Sequence, residues 1–208
     1  MSSSWRAGAI LTGLIAGSVF TGCGDRRADD TSARMESPDT MSAGTQTADT
    51  GAPEAAQLSD ANIVALLDEA NMADSAAGAY ALTKATSADV KAFARLMMGE
   101  HHALRAQGQQ LAQRLNVTPK LPASDPLKPA AESEMAALRA APKGAQFDRT
   151  YIEQEVAAHK LVLDVAGKGH GAAQNEELKK LIEQAKPVIE KHLERAEEIQ
   201  KKLGKPAA

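Results

Sequence analysis

The chain has 208 residues, a formal net charge of −3, a single cysteine and an aromatic content of only 3%. One cysteine excludes a framework of intramolecular disulfides. The charge is unevenly distributed, because residues 24–57 carry a net charge of −4 while residues 58–208 are close to neutral. A neutral domain lacks the basic face that nucleic-acid binding requires, so we expect no nucleic-acid partner.

An apolar segment at residues 7–20 follows the single cationic residue Arg6 and ends shortly before Cys23. The segment is too short to span a bilayer, which takes about 20 residues, but it suits the apolar part of a signal peptide. The tetrapeptide Phe20-Thr21-Gly22-Cys23 resembles a lipobox, although Leu or Val is more usual at the first position. We therefore predict a lipoprotein signal peptide at residues 1–22 and lipidation of Cys23. Ordinary signal cleavage beside a chance cysteine is the alternative.

Residues 23–57 are rich in Asp, Thr, Ser, Ala and Gly and contain no aromatic residue. Such a segment cannot bury enough apolar surface to offset the entropy of ordering, which predicts a disordered acidic tether. Gly24 stands where an Asp would resemble an inner-membrane retention signal. We therefore expect lipid anchoring in the cell envelope, at the outer membrane and facing the periplasm. The membrane is the one partner that the sequence predicts, and any protein partner is unknown.

Residues 58–208 are rich in Ala, Leu, Lys, Glu and Gln and show no alternating strand pattern, which predicts an all-α domain. Helical periodicity predicts long helices at residues 59–85, 88–115, 145–166 and 175–203, with a short helix at 130–140. The first two and the last two long helices are joined by short connections, whereas about thirty residues separate the second from the third. Two antiparallel hairpins with a long crossover predict a ferritin-like four-helix bundle, and a plain up-down bundle is the alternative.

Each long helix carries titratable side chains on or near its apolar face when residues are placed at about 100° per position. They are Asp74 on the first helix, Glu100 and His101 on the second, Asp148, Glu155 and His159 on the third, and His192 on the fourth. Three of the five histidines therefore face inward near the middle of their helices. Two interpretations stay open: a site for a metal ion or small polar ligand, and a structural layer of hydrogen-bonded side chains.

The donor set decides which metal chemistry the sequence favours. Di-iron ferritin-like proteins use a Glu-x-x-His motif on two helices, but Met98, Val156 and Ile189 stand three residues before the inward histidines. Three imidazoles with one or two carboxylates suit one Zn²⁺, Cu²⁺ or Fe ion instead. The predicted ligands are Asp74, His101, Glu155, His159 and His192, and Glu100 and Asp148 are predicted to hydrogen-bond the imidazoles from outside.

Several of these residues occur in the motif order of a known bacterial family. The motifs are Asp74 with Gly78 and Ala81, Val90-Lys91-Ala92-Phe93-Ala94, Met97, Glu100-His101, Phe147-Asp148, Tyr151, His159, Pro187 and His192. They resemble the domain-of-unknown-function 4142 family over residues 58–203, although a Glu is usual in that family where this chain has Asp74.

The resemblance implies an exported protein with a ferritin-like bundle, often a lipoprotein, and it implies no agreed biochemical activity. The sequence also contains no Ser-His-Asp order, nucleotide-binding loop or zinc-protease motif. We therefore favour a protein that is not an enzyme. It either binds a metal ion or small polar ligand at mid-bundle or serves as a structural or interaction protein of the envelope.

Overall fold

The computed structural model describes residues 57–204, and within this range the chain forms five helices and no strand. The helices are α1 (Asp60–Lys84), α2 (Ala88–Arg114), α3 (Leu127–Ala140), α4 (Ala145–Ala172) and α5 (Glu176–Leu203). The prediction of an all-α class is confirmed. The predicted signal peptide at residues 1–22, Cys23 and the predicted tether up to residue 56 lie outside the described residues. None of the described helices is both long and apolar enough to cross a membrane.

The four long helices pack as two hairpins that share one core. Three residues join α1 to α2, and three join α4 to α5, so the two helices of each pair run in opposite directions and pack along their length. Contacts between α1 and α4, and between α2 and α5, bring the two hairpins together. Helix α3 lies in the long connection between the hairpins and packs against α1 and α4.

Polar side chains hold the helix ends in register. At the start of α1, Ser59 and Asn62 form a capping box, and the Asp60 carboxylate accepts hydrogen bonds from the backbone amides of Gln174 and Asn175 at the α4–α5 turn. At the other end of α1, the Lys84 ammonium donates to three backbone carbonyls at the end of α3. These bonds link segments that are distant in sequence, so they help to set how far each helix slides along its neighbours.

The predicted end of the third long helix is wrong. Its glycine-rich continuation was expected to be a loop from residue 167, but α4 continues to Ala172. The reason is tertiary packing: Gly169 lies so close to α1 that a Cβ there would be 3.2 Å from the Ile63 Cγ2. Glycine is a poor helix former, yet here its missing side chain permits an apolar contact that offsets its low propensity.

The core is apolar at both ends and polar in the middle. One apolar cluster includes Phe93, Tyr151 and Ile199, and the cluster toward the other end includes Ile63 and Ile182. A third cluster lies toward α3 and contains residues of α1, α3, α4 and α5. On each long helix one polar residue lies between members of these clusters: Asp74 between Ala70 and Ala77, His101 between Met97 and Leu111, His159 between Val156 and Val162, and His192 between Ile189 and Ala196.

Candidate metal centre

Three imidazoles from three different helices meet in this middle layer. His101, His159 and His192 are each no more than 2% exposed, and their ring centroids lie 5.1 to 5.6 Å apart. One ring nitrogen of each lies within 4.8 Å of those of the other two. The inward orientation predicted for each histidine therefore coincides with a common position along the bundle.

Each imidazole is held from outside by a hydrogen-bond acceptor. The Nδ1 of His101 donates to the Asn71 Oδ1 at 2.9 Å, and the Nδ1 of His159 donates to the Glu155 backbone carbonyl at 2.8 Å. The Nε2 of His192 donates to the Glu100 Oε2 at 2.6 Å. The orientation of Asn71 is determined independently, because its Nδ2 donates to the Leu67 carbonyl.

These bonds determine which ring nitrogen carries the lone pair. Every outer partner is an acceptor, so in a neutral ring the outer nitrogen carries the proton and the other nitrogen does not. The nitrogens left over are the Nε2 of His101, the Nε2 of His159 and the Nδ1 of His192, and all three are buried without a hydrogen-bond partner. Each ring thus keeps one buried nitrogen to which no protein group donates, and an unprotonated nitrogen of this kind suits a cation that accepts nitrogen ligands.

Burial keeps two of these rings neutral. It lowers the pKa of His101 to about 3, with a further contribution from the neighbouring His192, and it also lowers the pKa of His159. A neutral imidazole is the form that binds a metal. Two of the three rings are therefore in the form that binds a metal at neutral pH.

Carboxyl groups lie beside the imidazoles on the α3 side. Asp74 is 3% exposed and its Oδ2 lies 3.4 Å from the His101 Nδ1, while Glu155 is fully buried and its Oε2 lies 3.4 Å from the His159 Nδ1. Asp74, Glu155 and His159 form a second group whose potential ligand atoms all lie within 4.8 Å of one another. Burial raises the pKa of Asp74 and of Glu155 above their ordinary values.

Two residues of this region were missed in the sequence. Glu134 on α3 is 5% exposed, and burial together with the Asp74 charge raises its pKa to about 8. Its position was detectable, because Glu134 lies seven residues after Leu127 and four before Leu138, the other two buried residues of α3. Asn71, the partner of His101, carried no comparable signal.

Glu100 and Asp148 were both predicted to hydrogen-bond the imidazoles, but only Glu100 does so in the structure. Asp148 is buried, but its carboxylate accepts hydrogen bonds from the Thr86 amide, the Thr86 hydroxyl and the Ser87 amide at the α1–α2 turn, instead of holding an imidazole. Ser87 occupies the N-cap of α2 without a side-chain capping bond. Glu100 does contact an imidazole, from a half-exposed position at the bundle surface.

Two clefts reach this layer from outside. A cleft of about 250 Å³ between α1, α3 and α4 is walled mainly by alanines, and its polar lining includes Asp74 and Glu134. A second, of about 120 Å³, reaches His101 and Asn71 between α1, α2 and α5. Small solutes therefore have a short path to both the carboxyl side and the histidine side of the layer.

The sequence profile of the family described as "Domain of unknown function (DUF4142)" matches residues 44–199. The chain belongs to the DUF4142 family. Neither curated proteins nor solved structures give a significant match. In this DUF4142 chain the matched range includes all of α1 to α4 and most of α5, and with them every residue of the polar layer.

Proposed function

We propose that the bundle binds one transition-metal ion, Zn²⁺, Cu²⁺ or Fe²⁺, through His101, His159 and His192. Two observations carry this proposal: one ring nitrogen of each histidine lies within 4.8 Å of those of the other two, and each ring has a buried nitrogen without a hydrogen-bond partner. A purely structural layer would be expected to pair its buried polar atoms with one another, because an unpaired buried acceptor destabilises the fold. Here each ring is paired only on its outer side.

The outer partners suit a metal site as well. Ligating histidines commonly donate their second ring N–H to a carboxylate or a backbone carbonyl, which fixes the tautomer and orients the ring. Glu100 and the Glu155 carbonyl are partners of those types, and the side-chain carbonyl of Asn71 acts in the same way. Three imidazoles leave a divalent ion at least one further coordination position, which water would fill.

The cellular context of this proposal comes from the sequence. We propose a lipoprotein anchored through Cys23 to the outer membrane and facing the periplasm, with a ferritin-like arrangement of α1, α2, α4 and α5. A metal-binding role without catalysis fits this proposal best, because the residues of the layer offer ligands and no recognisable nucleophile with a paired base.

Metal titration of the purified full-length chain tests the proposal. After chelator treatment, Zn²⁺ is titrated against a competing chelator, and Co²⁺ absorption reports the coordination geometry. We expect one tight equivalent in the wild type, and His192→Gln weakens it by more than about 100-fold, because even loss of an outer hydrogen-bond partner costs 10–100-fold. His102→Gln is the matched control, since His102 is exposed on α2 next to His101.

The alternative is a structural or interaction protein whose buried polar layer only fixes helix register. It predicts that His192→Gln lowers the melting temperature while Zn²⁺, Cu²⁺ and Fe²⁺ leave that of the wild type unchanged. On the metal proposal, an ion at 100 times its Kd stabilises the fold by about 2.7 kcal/mol, which raises the melting temperature by roughly 5–10 °C. No rise with any of the three ions would refute metal binding.

A further inference from the structure

Three acidic side chains from three helices are buried together on the α3 side of the layer. Asp74 of α1, Glu134 of α3 and Glu155 of α4 are 3%, 5% and 0% exposed. Within the described part of the chain, the only ion-pair partners of Asp74 and Glu155 are histidines, and Glu134 has no ion-pair partner. No lysine or arginine there compensates the charge of the three groups.

Few hydrogen-bond donors reach the oxygens of these acids. The Oε1 of Glu134 is buried without a partner, and the Tyr151 hydroxyl is the donor near the two buried oxygens of Glu155. Glu155 and Asp74 lie close enough for their oxygens to contact one ion, since the ligand atoms of their group are within 4.8 Å of one another. Buried carboxylates of this kind are normally paired or bound to a cation.

The ion in the trihistidine site cannot draw on all of these donors. The Nδ1 of His159 donates to the Glu155 carbonyl, so His159 has only its Nε2 to offer and binds one ion. We assign that nitrogen, which is buried without a hydrogen-bond partner, to the ion shared with His101 and His192. The acidic side chains are then left as a site of oxygen donors only, which suits hard divalent cations such as Mn²⁺, Mg²⁺ or Ca²⁺.

The larger cleft supplies the remaining requirement, which is access for a hydrated ion. Asp74 and Glu134 both line it, and its alanine walls leave a volume of about 250 Å³ for coordinating water. Hard divalent cations commonly keep several waters and bind through one or two carboxylates. The cleft therefore borders two of the three acids, Asp74 and Glu134.

We propose that Asp74 and Glu155 bind a second, hard divalent cation next to the trihistidine ion, with Glu134 contacting it through water in the cleft, so that the bundle holds a mixed two-metal centre. The second site deepens the proposed function and rests on it for the assignment of the His159 Nε2 to the first ion. Nitrogen donors select the first ion and oxygen donors the second, so the two sites differ in metal preference.

Manganese titration of the full-length chain, stripped of metal and loaded with one equivalent of Zn²⁺, tests this proposal. Electron paramagnetic resonance measures free Mn²⁺. We expect one Mn²⁺ to bind per chain, and Glu134→Gln to weaken its binding by about 10-fold or more without changing Zn²⁺ affinity. Glu132→Gln is the matched control, because Glu132 is exposed two residues earlier on α3.

Replacing Zn²⁺ with paramagnetic Cu²⁺ distinguishes Mn²⁺ bound in the acidic cluster from adventitious Mn²⁺ bound at the surface. An adjacent Cu²⁺ couples to the manganese spin and alters its signal, whereas an unaltered signal places the Mn²⁺ elsewhere and overturns the proposal. The proposal is also overturned if the Zn²⁺-loaded wild type binds no Mn²⁺, or if Glu134→Gln weakens Zn²⁺ and leaves Mn²⁺ binding unchanged. Failure of the trihistidine site looks different: Mn²⁺ then binds to the stripped wild type, which takes up neither Zn²⁺ nor Cu²⁺.

Discussion

Replacing Gly78 by alanine should separate α1 from α2. A Cβ at Gly78 would lie 2.8 Å from the Ala94 carbonyl oxygen and 3.1 Å from the Met98 Cγ. The Met98 side chain can move, but the Ala94 oxygen belongs to the α2 backbone, so ordinary contact at 3.4 Å or more requires the helices to separate by about 0.6 Å. Overpacking of this kind costs about 1–3 kcal/mol, and the better helix propensity of alanine returns up to about 1 kcal/mol.

Urea denaturation of the metal-free protein measures the result. We expect Gly78→Ala to destabilise by about 1–2 kcal/mol, which lowers the melting temperature by roughly 2–8 °C. Gly99→Ala is the control, because Gly99 is exposed on α2 and a Cβ there meets nothing within 4 Å. That substitution should stabilise by about 0.5–1 kcal/mol. If Gly78→Ala proves as stable as Gly99→Ala, the close approach of α1 and α2 is wrong.

The same two variants test whether the packing of α1 against α2 affects Zn²⁺ binding. The hydrogen bond from His101 to Asn71 spans α2 and α1 at 2.9 Å, and a separation of a few tenths of an ångström would weaken it. Zn²⁺ affinity should therefore fall by up to about 10-fold in Gly78→Ala and stay unchanged in Gly99→Ala. Equal affinities in the two variants would show that the site tolerates movement of α1.

Three further substitutions test separate parts of the argument. Asn71→Ala should weaken Zn²⁺ binding by about 10–100-fold in a chelator competition, because it removes the acceptor that orients His101; unchanged affinity would contradict that role. Because the pKa of Glu134 is raised to about 8, its contribution to stability is present below pH 4.5 and lost as pH rises through 8. The free energy of unfolding of the metal-free protein, measured by urea denaturation, should thus fall by about 1–2 kcal/mol between pH 6.5 and 8, and by less in Glu134→Gln. Parallel pH profiles would contradict the burial of Glu134. His101, with a pKa lowered to about 3, adds only a small slope of the opposite sign just above pH 6.5, where its unfolded form loses its last protons. Asp148→Asn should lower the free energy of unfolding by about 2–3 kcal/mol, because three donors face its carboxylate. Asp164→Asn, which removes an exposed ion pair, should lower it by less than about 1 kcal/mol. Similar urea midpoints for the two variants would argue against the contact between Asp148 and the α1–α2 turn.

Much of the helical architecture was predictable because an amphipathic helix has a local signature. The start of α2 and the ends of α3 and α5 agree with prediction to the residue, since apolar periodicity and helix-terminating residues are properties of neighbouring positions. The end of α4 was not predictable in this way. Whether Gly167 to Gly171 form a loop or a helix depends on Ile63, about a hundred residues earlier in the chain, against which Gly169 packs.

The candidate site was likewise predictable where the information lies within one helix, and not where it depends on contacts between helices. Asp74, His101, Glu155, His159 and His192 were placed inside from their angular positions alone, and all five are buried. Glu134 was not predicted because α3 was treated as part of a connection. Asp148 was assigned to an imidazole because its angular position on α4 does not show that it contacts the α1–α2 turn. An angle about one helix axis does not determine the distance to a residue on another helix.

The sequence by itself therefore determined an all-α domain whose long helices each turn a titratable side chain toward the core, since both follow from a repeat of about 3.6 residues. Only the tertiary structure decided that the three imidazoles lie at one level and that Asn71, the Glu155 carbonyl and Glu100 leave their inner nitrogens unprotonated. It also decided that Glu134 joins Asp74 and Glu155 beside them. The physical reason is register: helices slide along one another until their apolar clusters pack, and that packing depends on contacts between residues far apart in the chain.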